Sequence, residues 1–148
     1  MILSSSFNEH PAGLSPDGQW VVYGSDESGR SEIYVQRAAG DGGKQQVSTD
    51  GGTEPLWSPA GGEIFYREQD KMMAVPASFN AGRVQLGASS LLFEGDFDKG
   101  AFGFVNYDVT QDGARFLMAQ PAGGQGVTQE LVVVQNWLSE LERLVPVK

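Results

Sequence analysis

The chain carries a single histidine, His10, set between Glu9 and Pro11. Imidazole is the side chain that ordinarily changes charge near neutrality, so His10 beside Glu9 is the first candidate for acid–base work. A hydrolase would also need an activated nucleophile, and no Gly-x-Ser-x-Gly elbow is present. Asp96-Phe97-Asp98-Lys99-Gly100 begins like a calcium loop, but Gly100 stands where a third oxygen ligand is needed and Tyr107 where a Glu should close the loop. The glycine-rich stretches Gly40–Gly43 and Gly123–Gly126 are not followed by Lys-Ser/Thr and open no helix, so they read as loops rather than phosphate cradles. There is no cysteine, which removes disulfides and thiolate metal sites and leaves the redox compartment open. No catalytic residue, metal or cofactor is therefore expected. The remaining polar candidates are Glu54, Asn106 and Asp108, with Asn8, Glu9 and His10.

What must position these residues is a repeat. Ser15-Pro16-Asp17-Gly18-Gln19-Trp20-Val21-Val22-Tyr23 aligns without a gap on Ser58 to Tyr66 and on Thr110 to Met118, at offsets of 43 and 52 residues. Each copy sends a Gly-containing turn into an apolar, β-rich run. A period of this size is that of four-stranded β-propeller blades. The phrase supplies the end of one strand, a turn and the second strand. Third strands follow at Glu32–Val35, Lys71–Ala74 and Glu130–Val133, and outer strands at Gln45–Ser48 and Val84–Phe93. Runs such as Val21-Val22-Tyr23 are apolar on both faces, as strands sandwiched between blades must be.

Composition agrees with a soluble globular domain: 40% of the 148 residues are hydrophobic, and no stretch approaches the ~20 apolar residues that cross a bilayer. A net charge of −9, with ten Lys and Arg scattered singly, excludes the basic stripe that nucleic acid requires. Met1 to Ser6 has neither a basic nor a long apolar region, so no signal peptide is expected. The compartment stays open: cytoplasmic if Met1 is the natural start, periplasmic if the chain is cut from a longer one.

Ser15-Pro16-Asp17-Gly18 with Trp20-Val21-Val22-Tyr23, Ser25–Arg30 and Glu32–Val35 resembles the TolB-type, WD-repeat-like propeller repeat of bacteria. Gly52–Ser58, Phe65-Tyr66-Arg67, Lys71–Val75, Tyr107–Thr110 and Val132–Trp137 are similar, more narrowly, to the C-terminal end of propeller modules attached to bacterial Ser/Thr protein kinases. No kinase motif accompanies them. The resemblance departs at Ala60, where Asp is usual, at Thr110-Gln111, and at Pro11–Leu14, which is one residue too long. It implies an all-β chain of about three four-stranded antiparallel blades, half of a six-blade propeller: blade 1 about 8–49, blade 2 about 53–95 and blade 3 about 105–137.

Propellers close with about 4 to 8 blades, so three leave open faces. The expected solution is a homodimer, or a longer chain, with 2–7 of one copy giving the outer strand of the other's third blade. Leu138, Leu141, Leu144 and Val145 fall at helical spacing, which predicts a C-terminal helix over about 138–145. Glu54 and Asn106, each four residues before Ser58 and Thr110, take equivalent places on innermost strands; with Asp108, Glu9 and His10 they are expected at the channel mouth. The expected function is a non-catalytic module that binds a protein or small ligand there, without membrane insertion. The alternative is an enzyme using Glu54 and Asp108 for acid–base or metal-assisted chemistry.

Overall fold

The repeated phrase folds through its own side chains. In the computed structural model, which describes residues 5–40, 43–80, 82–120 and 130–135, the Ser15 N–H donates to Trp20 O and the Gly18 N–H to Ser15 O, both at 2.8 Å. The Ser15 hydroxyl accepts the Trp20 N–H and donates to Asp17, whose carboxylate also accepts the Gln19 N–H. Thr110, Asp112, Gly113, Ala114 and Arg115 repeat this pattern atom for atom. Blade 2 keeps the backbone bonds of Ser58, Gly61 and Glu63 without a carboxylate at Ala60. In all three turns the glycine, Gly18, Gly61 or Gly113, has φ of 70 to 78°, a conformation that costs other residues energy.

Hydrogen bonds from the Ser15 hydroxyl and the Gln19 N–H lower the pKa of Asp17, and those from Thr110 and Ala114 lower that of Asp112. A depressed carboxyl pKa contributes stability that is present above the unfolded value near pH 4 and disappears as pH falls through the folded one. Asp17→Asn/Asp112→Asn should therefore show a shallower loss of melting temperature between about pH 4 and pH 2 than the wild type. Parallel curves would mean that the turn carboxylates contribute nothing.

Three antiparallel sheets follow one another along the chain. The first runs β1 (Glu9–Leu14), β2 (Trp20–Ser25), β3 (Glu32–Arg37) and β4 (Gln45–Gln46). The extra residue at Pro11–Leu14 is a register shift between Pro11 and Gly13, a bulge in β1. The second sheet contains β5 (Thr53–Trp57), β6 (Glu63–Glu68), β7 (Lys71–Asn80), β8 (Arg83–Leu86) and β9 (Ser90–Glu94). The third has β10 (Tyr107–Val109), β11 (Arg115–Gln120) and β12 (Glu130–Gln135), preceded by a single 3-10 turn at Ala101–Gly103. The predicted helix at 138–145 lies outside the described residues, as do 2–4 of the segment 2–7; Ser5 to Phe7, its described part, is not in a strand. No helix among the described residues is long and apolar enough to cross a membrane.

The stretch expected as one outer strand of blade 2 is in fact two. β7 is ten residues long: Lys71–Ala74 pair with β9, and Ala77–Asn80 pair with β8. The β7–β8 hairpin reaches blade 1: Phe79 stacks on Trp20 (centroids 5.6 Å apart) while lying against Trp57 of its own blade at 5.7 Å, and the Gln45 amide donates to Val84 O.

Strand alternation divides each blade between two seams. Trp20, Val22, Ile33 and Val35 of blade 1 meet Trp57, Ile64, Tyr66, Met73 and Val75 of blade 2. The intervening residues Leu56, Phe65, Met72 and Ala74 turn the other way and meet Tyr107, Val109, Phe116 and Met118 of blade 3. On blade 1, Val21, Tyr23 and Tyr34 form a separate cluster on the face away from blade 2.

Candidate functional site

Glu54 lies at an irregularity. The pairing of β5 with β6 shifts register between Thr53 and Leu56, and Glu54 has φ of 54°, in the left-handed region that side-chain-bearing residues seldom adopt. A bulge re-aims a side chain, and here the carboxylate is turned inward and is 1% exposed. Its Oε1 accepts the Gly100 N–H at 3.1 Å and its Oε2 the Asn106 N–H at 2.9 Å, while the Tyr107 hydroxyl donates to the Glu54 carbonyl at 2.9 Å. Burial, together with the Glu54 charge, pushes the Tyr107 phenol well above its usual pKa, so it remains a donor.

Arg67, equally buried, completes the cluster from β6. Its guanidinium donates to Asp98 O at 2.7 Å and to Phe97 O at 3.1 Å, and Nη1 is 3.9 Å from Glu54 Oε1. A carboxylate thus gathers two N–H groups, and a guanidinium two carbonyls, of one irregular segment, 95–106, that would otherwise bury unsatisfied backbone. Gly100 fits only because it lacks a side chain: a Cβ there would lie 1.6 Å from Phe104 O. At the outer end of the segment Lys99 pairs with Asp70 at 2.7 Å, a hydrogen bond that lowers the Asp70 pKa.

The segment delivers the 3-10 turn to the start of blade 1. The Cβ position of Gly103 is 3.8 Å from the His10 ring. The next residue, Phe104, is 61% exposed, and Asn106 is exposed. His10 and Glu9 are half-buried; Glu9 accepts the Ser5 hydroxyl at 2.9 Å. Beside them the Asn8 amide donates to Asp26 at 2.6 Å, and this bond, with that from the Asn8 N–H, lowers the Asp26 pKa. β1 and the 95–106 segment thus share a contact at His10 and Gly103, with Glu9 and Asn8 preceding His10 in the chain.

Glu54 and Asp108 do not share it. Glu54 sits beneath the segment with both oxygens engaged. Asp108, exposed, is opposite Leu117 on the β10–β11 pair, on the face of blade 3 turned away from blade 2, and its Oδ1 accepts its neighbour's Val109 N–H. No group of three or more His, Cys, Asp or Glu among the described residues is placed to hold a metal.

Sequence reasoning missed two buried charges. Arg67 follows Ile64-Phe65-Tyr66 and precedes Glu68-Gln69-Asp70, so it reads as the polar end of a strand and nothing in the sequence marks it as buried. Glu32 holds the first crossover as Glu54 holds the second: its carboxylate accepts Arg30 Nε at 2.6 Å, the Gly51 N–H at 3.0 Å and the Ser48 hydroxyl.

No protein-family model matches this chain, and no curated protein sequence does. Solved structures do. The oligogalacturonate lyase of Vibrio parahaemolyticus aligns over 90% of the chain with a TM-score of 0.63 at 12% identity, and TolB of Acinetobacter baumannii over 90% with a TM-score of 0.53 at 19%. The chain spans 40% and 31% of their respective lengths. These likenesses establish the fold, a β-propeller-like array, and give no support to the narrower kinase-module resemblance. A fold of this kind carries many activities, so function has to be argued from the site.

Proposed function

We propose that the chain is a non-catalytic propeller module that binds a partner at the mouth formed by β1 and the 95–106 segment, and that it forms part of a closed ring. The observation that carries this reading is the mounting of Phe104. A buried ion pair and four backbone hydrogen bonds secure a segment without regular pairing, and they hold out an aromatic ring 61% exposed, next in the chain to Gly103, whose Cβ position is 3.8 Å from the His10 ring. A pre-ordered aromatic flanked by amides loses little conformational entropy on binding. The surroundings, Glu9 and Asp26 on a chain of net charge −9, favour a cationic or hydroxyl-rich ligand over an anionic one. The two carboxylates an acid–base enzyme would use stand apart, one sealed and one on an outer face, which favours binding over turnover.

Thermal-shift titration with spermidine and with a neutral oligosaccharide tests the proposal. At a hundredfold excess over Kd, binding adds about 2.7 kcal/mol of stability. That gain should vanish in Phe104→Ala and fall in Asn106→Ala, both exposed positions whose truncation leaves the core intact. Stabilisation that survives both substitutions, or turnover of an offered substrate by the wild type, would overturn the reading.

A further inference from the structure

His10 is the chain's only histidine, and its ring carbons Cγ and Cδ2 are 3.8 Å from the Cβ position of Gly103, the last residue of the 3-10 turn. Gly103 has φ of 78°, a left-handed conformation that side-chain-bearing residues seldom adopt. The imidazole therefore rests on bare backbone, one residue before the exposed Phe104. The charged groups around it are acidic: Glu9 beside it on β1, and Asp26 just after β2. Gly24, its partner in the β1–β2 pairing, and Gly103, its contact in the 95–106 segment, carry no charge. Further along each element, Glu27 is paired with Lys44, and Lys99 with Asp70. Asp26 feels His10 through space: hydrogen bonds from Asn8 are the main cause of its lowered pKa, and the charge of His10 adds to it. Because the ring is half-buried, its charge is screened less than that of an exposed side chain.

We infer that protonation of His10 weakens the binding of a cation at this mouth, so that the module holds such a ligand near neutrality and releases it as pH falls. This rests on the binding reading above and names how that site is regulated. Imidazole is the side chain that ordinarily changes charge over this range. While the ring is neutral, Glu9 and Asp26 attract an incoming cation unopposed by it; once protonated, the ring offsets one of the two. For unit charges on the order of 7 Å apart near a protein surface, the change in affinity is about three- to fiftyfold. Binding and protonation are linked reciprocally, so a bound cation must drive the proton off the ring by the same factor. A neutral ligand at the same place has no such linkage.

A lone imidazole makes the test direct, because the full-length chain gives a single histidine Cε1–H resonance in proton NMR. Its titration midpoint should fall in the presence of saturating spermidine and stay in place with the neutral oligosaccharide. Thermal-shift titration should give a spermidine Kd at least about threefold weaker at about pH 5.5 than at about pH 7.5, a range over which the amines of spermidine stay protonated. In His10→Gln the two values should coincide, with circular dichroism at both pH values checking that the fold is kept. An unmoved midpoint with spermidine bound, or a pH dependence that survives His10→Gln, overturns the inference and leaves the binding reading standing. If spermidine fails to bind at either pH while the oligosaccharide binds through Phe104, the inference alone falls; if neither binds, both fall.

Discussion

Arg67→Met is expected to lower the unfolding free energy by about 3–5 kcal/mol in urea titration. The substitution preserves much of the side-chain volume but removes the positive charge 3.9 Å from Glu54 and both donors to the 97–98 carbonyls. Glu54 then remains as an uncompensated charge at 1% exposure, and the Phe97 and Asp98 carbonyls lose the guanidinium's hydrogen bonds. Adding Glu54→Gln should recover only part of the loss, since the guanidinium's bonds to Phe97 and Asp98 do not involve Glu54. A shift under about 1 kcal/mol would place the pair among ordinary solvent-screened ion pairs and remove the basis for a rigidly mounted Phe104.

The second large effect belongs to Phe116→Ala, also expected to cost about 3–5 kcal/mol. Phe116 is fully buried in the seam between blades 2 and 3, edge-on to Phe65 at 4.9 Å and to Phe93 at 5.3 Å, with Tyr107 at 6.1 Å. Deleting one ring leaves three others facing a void, and rigid sheets cannot close around it as a flexible loop would. The urea midpoint should fall accordingly, while the seam of Trp20 and Trp57 keeps its packing. A cost below about 1.5 kcal/mol would mean that the blades slide together to fill the space.

The parts of the fold legible in the sequence were those decided by neighbours in the chain. Ser15-Pro16-Asp17-Gly18 and Thr110-Gln111-Asp112-Gly113 form their turns with bonds spanning at most five residues, so the repeat revealed them directly. The surplus residue at Pro11–Leu14 likewise announced the bulge in β1. Position in the repeat failed as a guide at Glu54, because a bulge between Thr53 and Leu56 breaks the correspondence between sequence position and strand face. Arg67 and Glu32 escaped because most of their partners lie 13 to 31 residues away. β7 escaped for a related reason: a proline, Pro76, reads as the end of a strand, yet here the chain continues through it while changing partners from β9 to β8.

The division of every strand between two seams also limits how a chain of this kind can change over generations. In β6, Ile64 and Tyr66 serve one interface and Phe65 and Arg67 the other. Losing one residue there would exchange the two sets at a stroke and spoil both boundaries of the blade, whereas a substitution harms only one. Insertions and deletions are therefore filtered out of strands and accumulate between them. The connections 26–31 and 69–70 differ in length for this reason, and the spacing from Ser15 to Ser58 to Thr110 drifts from 43 to 52 residues while the nine-residue phrase stays ungapped.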